Sequence, residues 1–464
     1  MPQVDLPDNI FRAYDIRGKL GEEITPERIQ RIARTFAQLF LGPGAKVVLG
    51  RDLRASSEEL ADAAREGLVA AGAQVWDIGV VPTPLSYFIM GRWQADGGVM
   101  ITASHNPPEY NGMKVRVGDR PFYGESLKEL RDAARQAPEP VGGGTVVERD
   151  PYPEYFETLM KHVSLARPLH VVLDLGNGAG ALTAIKVLGD LGCKLDLLFP
   201  EADGGQFLGR GPNPMIEGAL DALAARVKEV GAEVGLALDA DGDRLAVVDE
   251  KGRVITPDRA VLPLARHFMD RGRGVFVADV RCTRSMIEYV ESYGRKGAGL
   301  ADARVELSPC GYPFVLKTMA KHKAVFGFET TGHYFFDNPD IKYDDATFSA
   351  ALLCQVLSAG EERIGDLVAA APVYYTAEEV RWKCDDKLKF QVVEKLRAEY
   401  EQLYDVVTID GVRVERPEGW ALVRASNTAP ELTMRWEGAT EQARDEIGDE
   451  LLARVKRVME EVGA

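Results

Sequence analysis

Strand-like runs that lead directly into helix-like stretches recur three times along this chain of 464 residues. The runs are KVVLG, VVLDLG and VFVADV, at residues 46–50, 171–176 and 275–280. Units of this kind build parallel sheets covered by helices, and here they are spaced by roughly a hundred residues. The pattern therefore predicts three related α/β domains. In the first unit, Ser56 and Glu59 match a capping box ahead of an amphipathic helix.

The C-terminal part has a different pattern. A hairpin is expected through Asp410-Gly411, and two alternating runs, WALVRA and ELTMRWE, are typical of half-buried strands. Apolar residues at helical spacing then predict a final helix through Ile447, Leu451, Val455, Val458 and Val462. The fold class is therefore α/β with a C-terminal α+β domain. The predicted domains are residues 1–149, 150–253, 254–370 and 371–464.

Charge and cysteine content exclude several classes of function. The formal net charge of −16 disfavours nucleic-acid binding, which needs a basic face. An odd, scattered set of five cysteines favours a reducing cytoplasm over a disulfide framework. No apolar run is long enough for a membrane span, and the first residues lack a secretory pattern. We expect a cytoplasmic protein, a monomer or dimer, whose partners are small molecules.

The sharpest chemical signal is the segment DADGDR, between two strand-like runs. Asp239, Asp241 and Asp243 offer hard oxygen ligands without Cys or His, which favours Mg²⁺. An EF-hand is disfavoured because Arg244 stands where that loop needs glycine. A solvated acidic turn remains the alternative. Arg244 is a natural partner for phosphate.

A second candidate segment, TASHNPPEYNGMK, follows the apolar run GGVMI. Ser104 stands where an α/β protein places its site, and no GxSxG elbow or arranged His–Asp pair supports acyl transfer. We interpret Ser104 as a phosphoryl carrier, with a simple turn serine as the alternative. His105 and Lys114 are candidates for proton transfer; alone, they would be a structural histidine and a surface lysine.

Two further loops carry polar groups suited to a sugar phosphate. In GFETTGH, Glu329, Thr331 and His333 can bind sugar hydroxyls, although a polar turn is the default interpretation. In RASNTAP, neighbouring side chains can donate hydrogen bonds to a phosphate dianion; they are Arg424, Ser426, Asn427 and Thr428. A glycine turn at residues 176–181 also matches a dinucleotide fingerprint, with Asp196 twenty residues later, but a single match is weak.

Together these segments resemble the α-D-phosphohexomutases, and most closely the bacterial phosphomannomutase/phosphoglucomutase branch. The resemblance spans nearly the whole chain and includes FRAYDIRG at residues 11–18. It implies four domains around a central cleft, with a fourth domain that resembles the TATA-box-binding-protein fold. It also implies a phosphorylated Ser104, with Mg²⁺ held by that group and by Asp239, Asp241 and Asp243.

The resemblance further implies roles for the other loops. The segment 329–333 would recognise the sugar, the segment 424–428 would bind the phosphate that is not transferred, and Tyr14 and Arg17 would line the cleft. This chain has Arg281 where the family often has lysine, Thr331 in place of serine, and Tyr312 where relatives carry histidine. The candidate catalytic residues are Ser104, His105, Lys114, Arg244 and His333.

The expected function is a phosphohexomutase that interconverts hexose 1-phosphate and hexose 6-phosphate, of mannose or glucose. It would act through a phosphoserine and a bisphosphate intermediate, with hexose 1,6-bisphosphate as activator. Two alternatives stay open: a phosphoglucosamine mutase-type enzyme, and a sugar-phosphate-binding protein without catalysis.

Overall fold

The structure is a computed structural model that describes residues 5–118, 120–136, 138–426 and 429–464. The chain forms two compact units: residues 1–257 with 331–365, and residues 258–330 with 366–464. The predicted domain of residues 254–370 therefore contributes to both units. Two short helices, Pro257–Ala260 and Ile364–Ala369, span points where the chain passes from one unit to the other.

A mixed seven-stranded sheet organises the N-terminal part of the first unit. Its strands lie in the order Ile16–Lys19, Tyr110–Val117, Gly97–Ile101, Lys46–Arg51, Gln74–Val80 and Thr145–Glu148, with Arg120–Pro121 paired to the second of these. In this order, the neighbours from Gly97–Ile101 onwards are parallel, whereas the neighbours up to Gly97–Ile101 are antiparallel. The helices of this part are Asp8–Ile10 (3₁₀), Pro26–Phe36, Ala37–Leu41 (π), Ala55–Ala70, Thr83–Arg92 and Glu125–Gln136.

A five-stranded sheet follows in the same unit. Its strands lie in the order Val254–Ile255, Leu245–Val248, Val234–Leu238, His170–Asp174 and Lys194–Leu198. The last three are parallel, and the turn after Leu238 reverses the chain into an antiparallel neighbour. The helices are Tyr152–His162, Ala181–Asp190 and Asp221–Val230.

The segment 331–365 belongs to the first unit through a buried helix. Strand Tyr334–Phe336 precedes helix Ala346–Ser358. The helix begins after Asp345, whose carboxylate accepts a hydrogen bond from the amide of Phe348 at 2.9 Å. Most of its residues are buried all round the helix, as expected of a core helix.

The second unit contains a parallel sheet and an antiparallel sheet. Arg304–Ser308, Val275–Asp279 and Phe326–Phe328 lie side by side and parallel, with helices Leu262–Met269, Arg284–Lys296 and Tyr312–His322. The six-stranded antiparallel sheet consists of Tyr375–Thr376, Val380–Lys383, Asp405–Val407, Val412–Arg416, Gly419–Ala425 and Glu431–Gly438. Helices Lys389–Tyr400 and Glu441–Val462 pack with this sheet around one apolar core.

Most local predictions are confirmed. The predicted hairpin pairs Val407 with Arg413, and Thr440 caps the last helix by accepting from the amide of Ala443 at 3.1 Å. The Ser56–Glu59 capping box is wrong. The helix begins at Ala55 after Arg54, so Ser56 lies inside it and accepts a hydrogen bond from Asn111 instead.

Candidate active site

The acidic loop, residues 239–244, is a tight reversal between two buried strands. Leu238 pairs with Leu245, so the chain must turn within six residues. The Oδ1 atom of Asp239 closes the loop, since it accepts from the amides of Asp243 at 3.0 Å and Arg244 at 3.1 Å. The three aspartates are at most 3% exposed, so the loop concentrates negative charge in the interior.

This loop has the donor set of a divalent-cation site. One oxygen of each aspartate lies within 4.8 Å of the others. Among the described residues, Asp239 Oδ2 and Asp241 Oδ1 have no hydrogen-bond partner although both atoms are buried. Burial, and then the charges of Asp243 and Asp241, raise the pKa of Asp239 well above its usual value. A hard cation such as Mg²⁺ fits because it would satisfy these oxygens and remove the repulsion.

Lys114 connects the acidic loop to the first sheet. Its Nζ atom donates to Asp241 Oδ2 and Asp243 Oδ2, both at 2.8 Å. Burial alone would lower the pKa of Lys114, but the two carboxylates outweigh it and raise this pKa well above its usual value. The lysine is therefore a fixed cation. Lys114 lies on strand Tyr110–Val117 and pairs with Met100 on the adjacent strand Gly97–Ile101, which leads to Ser104.

Ser104 has a left-handed backbone, with φ of 52°, and is 3% exposed. Its amide donates to Thr102 Oγ1 at 2.8 Å, and its carbonyl accepts from Arg54 Nη2 at 2.8 Å. Its hydroxyl lies 3.0 Å from His105 Nδ1. Burial, and then the charges of Arg244 and Arg17, lower the pKa of His105 well below its usual value. A neutral imidazole therefore faces the serine hydroxyl.

Two supporting residues of the serine loop were not predicted. Asp52 accepts from Thr102 Oγ1 at 2.8 Å, and Arg54 donates to the carbonyls of Asn106 and Pro107 at 2.6 and 2.9 Å. Both follow strand Lys46–Arg51, which lies parallel to Gly97–Ile101. The sequence RDLR places both residues at the end of a predicted strand, but only the structure shows that this strand lies next to the one that leads to Ser104.

Arg244 and His333 are brought together beside Asp243. Arg244 Nε donates to His333 Nε2 at 3.1 Å, and His333 Nε2 lies 3.2 Å from Asp243 Oδ1. Thr331 Oγ1 lies 3.3 Å from His333 Nδ1. Asp344, another residue missed by sequence reasoning, lies 3.8 Å from His333 Nε2, and burial raises its pKa to about 7.

Arg17 also reaches the serine loop. It donates to Asn106 Oδ1 at 2.9 Å and forms an ion pair with Asp15. Tyr14 is partly buried and close enough to influence the pKa of Arg17. Both predicted cleft residues therefore lie with the serine loop in the first unit.

The glycine turn at residues 176–181 supports the acidic loop. The amide of Ala179 donates to the carbonyl of Ala240 at 2.8 Å, and a Cβ on Gly178 would lie 2.7 Å from that oxygen. Asp196 is bonded to His170 and Arg226. Close packing against the acidic loop therefore explains Gly178.

The second unit carries its own group of candidate residues. Arg281 donates to both oxygens of Asp279, at 3.0 and 2.9 Å, and Asp279 Oδ2 also accepts from the amide and hydroxyl of Thr330 at 2.7 and 3.0 Å. Burial would raise the pKa of Asp279, but Arg281 and these hydrogen bonds lower it to about 2. The carboxylate therefore fixes Arg281 together with Thr330, in the segment 329–333 that was predicted to bind sugar and that we call the sugar loop.

Two consecutive amides connect the sugar loop with Arg424. The amide of Gly311 donates to Glu329 Oε1 at 2.7 Å, and that of Cys310 donates to Asp410 Oδ2 at 3.0 Å. The same Asp410 oxygen accepts from Arg424 at 3.1 and 3.0 Å. We call Arg281, Glu329 and Arg424 the arginine group.

The structure divides the predicted sugar loop. Glu329 belongs to the second unit, whereas Thr331 and His333 belong to the first. Ser426 is 5% exposed, and its amide donates to the carbonyl of Glu431 at 2.9 Å. The predicted phosphate-binding residues Asn427 and Thr428 lie outside the described residues.

In the part of the chain that the structure describes, no helix combines the length and apolar character that a membrane crossing requires.

Comparison with known proteins identifies the family. Family models for phosphoglucomutase/phosphomannomutase alpha/beta/alpha domains I, II and III match residues 8–139, 151–252 and 256–375, and the model of the C-terminal domain matches residues 379–454. A phosphomannomutase/phosphoglucomutase of Pseudomonas aeruginosa is 36% identical over 95% of this chain and 94% of its own length. A phosphoglucomutase of Neisseria gonorrhoeae is 35% identical over 97% of both chains.

A solved structure agrees with the sequence relatives. The crystal structure of a phosphoglucomutase/phosphomannomutase family protein from Burkholderia thailandensis superposes with a TM-score of 0.89 at 32% identity, and covers 98% of both chains. All four domain types and relatives spanning nearly the whole length therefore agree. The chain belongs to the phosphoglucomutase/phosphomannomutase family.

Proposed function

We propose that this chain interconverts hexose 1-phosphates and hexose 6-phosphates, of mannose, glucose or both. The observation that carries the proposal is the connection between the serine loop and the acidic loop. Lys114 bonds to Asp241 and Asp243 from the strand adjacent to the one that leads to Ser104. A serine hydroxyl and a buried carboxylate cluster held in one unit support phosphoryl transfer.

We propose Mg²⁺ as the cofactor, held by Asp239, Asp241 and Asp243 together with the phosphoserine. The metal would supply neutralisation of the charge on the transferring phosphoryl group. The two buried oxygens without hydrogen-bond partners support this assignment. Arg244, beside Asp243, supplies a further positive charge from the chain itself.

The proposed reaction has two transfers. In the first, the bond between Ser104 Oγ and phosphorus breaks and Ser104 Oγ takes up a proton, while the free O1 or O6 of the hexose phosphate loses its proton and forms a bond to phosphorus. In the second, the Ser104 hydroxyl loses its proton and forms a bond to the other phosphorus of the bisphosphate, and the sugar oxygen that leaves takes up a proton. Hexose 1,6-bisphosphate added from outside would activate the enzyme by phosphorylating a free Ser104.

Three side chains are candidates for moving these protons. His105 is held neutral next to the serine hydroxyl, so it can accept the serine proton when Ser104 is phosphorylated again. Lys114 has a raised pKa and stays protonated, which suits it to neutralise charge but makes it a weak proton donor. His333, bonded to Arg244, is the candidate base for the sugar hydroxyl.

The remaining predicted residues would bind the substrate. We propose that Arg281, Arg424, Ser426, Asn427 and Thr428 hold the phosphate that is not transferred. Glu329 and Thr331 would bind sugar hydroxyls, and Tyr14 and Arg17 would line the site beside Ser104. Because phosphate is the group common to both substrates, the same arginines can serve a 1-phosphate and a 6-phosphate.

Amino-sugar phosphates are the second candidate substrates. A probable phosphoglucosamine mutase of Methanopyrus kandleri is 33% identical over 97% of this chain. This likeness is close to that of the hexose enzymes, so the preferred sugar is a question for kinetics. Side-by-side rates on glucose, mannose and glucosamine 1-phosphates would answer it.

We also propose a cytoplasmic location and small-molecule partners, in a monomer or dimer. The five cysteines are buried free thiols, which suits a reducing compartment. The net charge of −16 disfavours a nucleic-acid partner.

The function is tested by incubating the protein with glucose 1-phosphate, Mg²⁺ and a trace of glucose 1,6-bisphosphate. We expect glucose 6-phosphate to form, with no turnover by the Ser104→Ala variant. Absence of turnover on all three sugar 1-phosphates would defeat the mutase proposal. Binding of these ligands without turnover would instead support a sugar-phosphate-binding protein.

A further inference from the structure

A buried lysine supports the backbone on both sides of Asn427 and Thr428. Lys389 is the first residue of helix Lys389–Tyr400 and is 5% exposed. Its Nζ atom donates to the carbonyl of Ser426 at 2.6 Å and to that of Ala429 at 3.0 Å. An ammonium group is buried only where hydrogen bonds compensate its lost hydration.

The third donor of this ammonium group faces the surface. Asp386 Oδ1 lies 2.7 Å from Nζ, and the Asp386 side chain is 67% exposed. Exposed ion pairs contribute little, because water screens them. The two carbonyls are therefore the contacts that account for the burial of Lys389.

The positions of these carbonyls matter for an anionic ligand. The amide of Ala429 also donates to Ser426 Oγ at 3.2 Å, so Ser426 and Ala429 are connected to each other as well as to Lys389. Carbonyl oxygens repel phosphate, and a cation bonded to both offsets their partial charges and fixes the backbone that carries them. The helix that supplies Lys389 packs in the core of the antiparallel sheet and gives it a rigid base.

We propose that Lys389 is a positioning residue that fixes Ser426 and Ala429 at the proposed phosphate-binding segment and sets the affinity for hexose phosphate without touching the ligand. This inference rests on the proposed function of that segment. Since the phosphate it binds is not the one transferred, Lys389 should affect substrate and transition state alike. Such uniform binding changes KM and leaves kcat nearly constant.

The test uses Lys389→Met, which keeps the length of the side chain and removes the charge and donors. We expect KM for glucose 1-phosphate to rise by about tenfold or more while kcat stays within about threefold. Lys389→Gln, which keeps an amide donor, should give a smaller rise. Lys395→Met is the matched control, since Lys395 lies on the same helix, is 43% exposed and pairs with Glu461; its KM should not change.

Calorimetry with glucose 6-phosphate separates this inference from the proposed function. If the wild type binds glucose 6-phosphate without converting it, the mutase proposal fails, and the Lys389→Met effect is still measured as a tenfold or larger rise in Kd. The inference is overturned if folded Lys389→Met keeps the wild-type KM and Kd, or if kcat falls at constant KM. Failure of both variants to fold would also overturn it, because Lys389 would then be a stability element.

Discussion

The acidic loop of the first unit and the arginine group of the second unit both bury charge, but their countercharges differ. In the arginine group each guanidinium has its own carboxylate: Arg281 lies 2.9 Å from Asp279, and Arg424 lies 3.0 Å from Asp410. In the acidic loop, Lys114 is shared by Asp241 and Asp243. The arginine group therefore has a carboxylate for each guanidinium, whereas the acidic loop leaves two buried carboxylate oxygens, Asp239 Oδ2 and Asp241 Oδ1, without a hydrogen-bond partner among the described residues.

Two buried aspartates, one in each region, show this difference in the direction of their pKa shifts. Burial and neighbouring carboxylates raise the pKa of Asp239, whereas Arg281 overcomes burial and lowers the pKa of Asp279 to about 2. Asp243 in the acidic loop resembles Asp279, since Lys114, His333 and Arg244 outweigh burial and lower its pKa, so the contrast applies to Asp239. Four substitutions test this contrast.

The largest effect is expected in the acidic loop. Asp241→Asn removes one charge from the cation site, and we expect kcat/KM to fall by about 10³-fold, since metal neutralisation of a phosphoryl group contributes several kcal/mol. Chelation of divalent cations should abolish wild-type turnover, and Mg²⁺ should restore it. Asp196→Asn is the control, because Asp196 is bonded to His170 and Arg226 outside the loop. Wild-type rates in Asp241→Asn would contradict the cation site.

Lys114→Met should have the next largest effect. Without its ammonium group, Asp241 and Asp243 lose their shared donor, and a candidate acid disappears. We expect kcat to fall by about 10²-fold, which steady-state kinetics at saturating substrate would measure. Lys128→Met is the matched control, because Lys128 is 60% exposed and pairs with nearby Glu125. Equal rates in the two variants would refute a role for Lys114.

Asp279→Asn tests the arginine group through stability. The folded pKa of about 2 lies below the unfolded value of about 3.9, so the carboxylate stabilises the protein above pH 4 and loses this contribution as the pH falls towards 2. Denaturant unfolding should show a loss of about 2 kcal/mol at pH 7 that falls to about half by pH 3. Asp132→Asn, at a side chain 56% exposed, should change stability by less than about 0.5 kcal/mol. A loss independent of pH would contradict the ion pair.

Asp410→Asn should have the smallest effect. Arg424 would keep its charge but lose its fixed orientation, so we expect KM for glucose 1-phosphate to rise by about tenfold with little change in kcat. Glu418→Gln, at an exposed side chain in the turn between strands Val412–Arg416 and Gly419–Ala425, should leave KM unchanged. A lower kcat at constant KM in Asp410→Asn would show that Arg424 acts on the transferred group instead.

Local chemistry was predictable from the sequence, because it depends on residues that are neighbours in the chain. The acidic loop forms between the two expected strands, and the final helix buries Ile447, Leu451, Val455 and Val458. The residues of each segment were sufficient to predict its strand or helix, because strand ends and hydrophobic periodicity are local signals.

The supporting residues were not predictable in the same way. Asp52 supports the serine loop only because its strand lies next to Gly97–Ile101, and Lys389 reaches Ser426 across 37 positions of sequence. Thr331 and Glu329, which look like one loop, belong to different compact units. These relationships depend on strand order and packing between distant segments, which single-sequence patterns do not specify.

The account depends most on Ser104 as the carrier of the phosphoryl group. Intact-mass spectrometry after incubation with glucose 1,6-bisphosphate and Mg²⁺ measures this directly. The account predicts that the wild type carries one phosphoryl group after this incubation, located on the peptide that contains Ser104, and that Ser104→Ala carries none. The same group on Ser104→Ala, or an active wild type without any phosphoryl group, would contradict it.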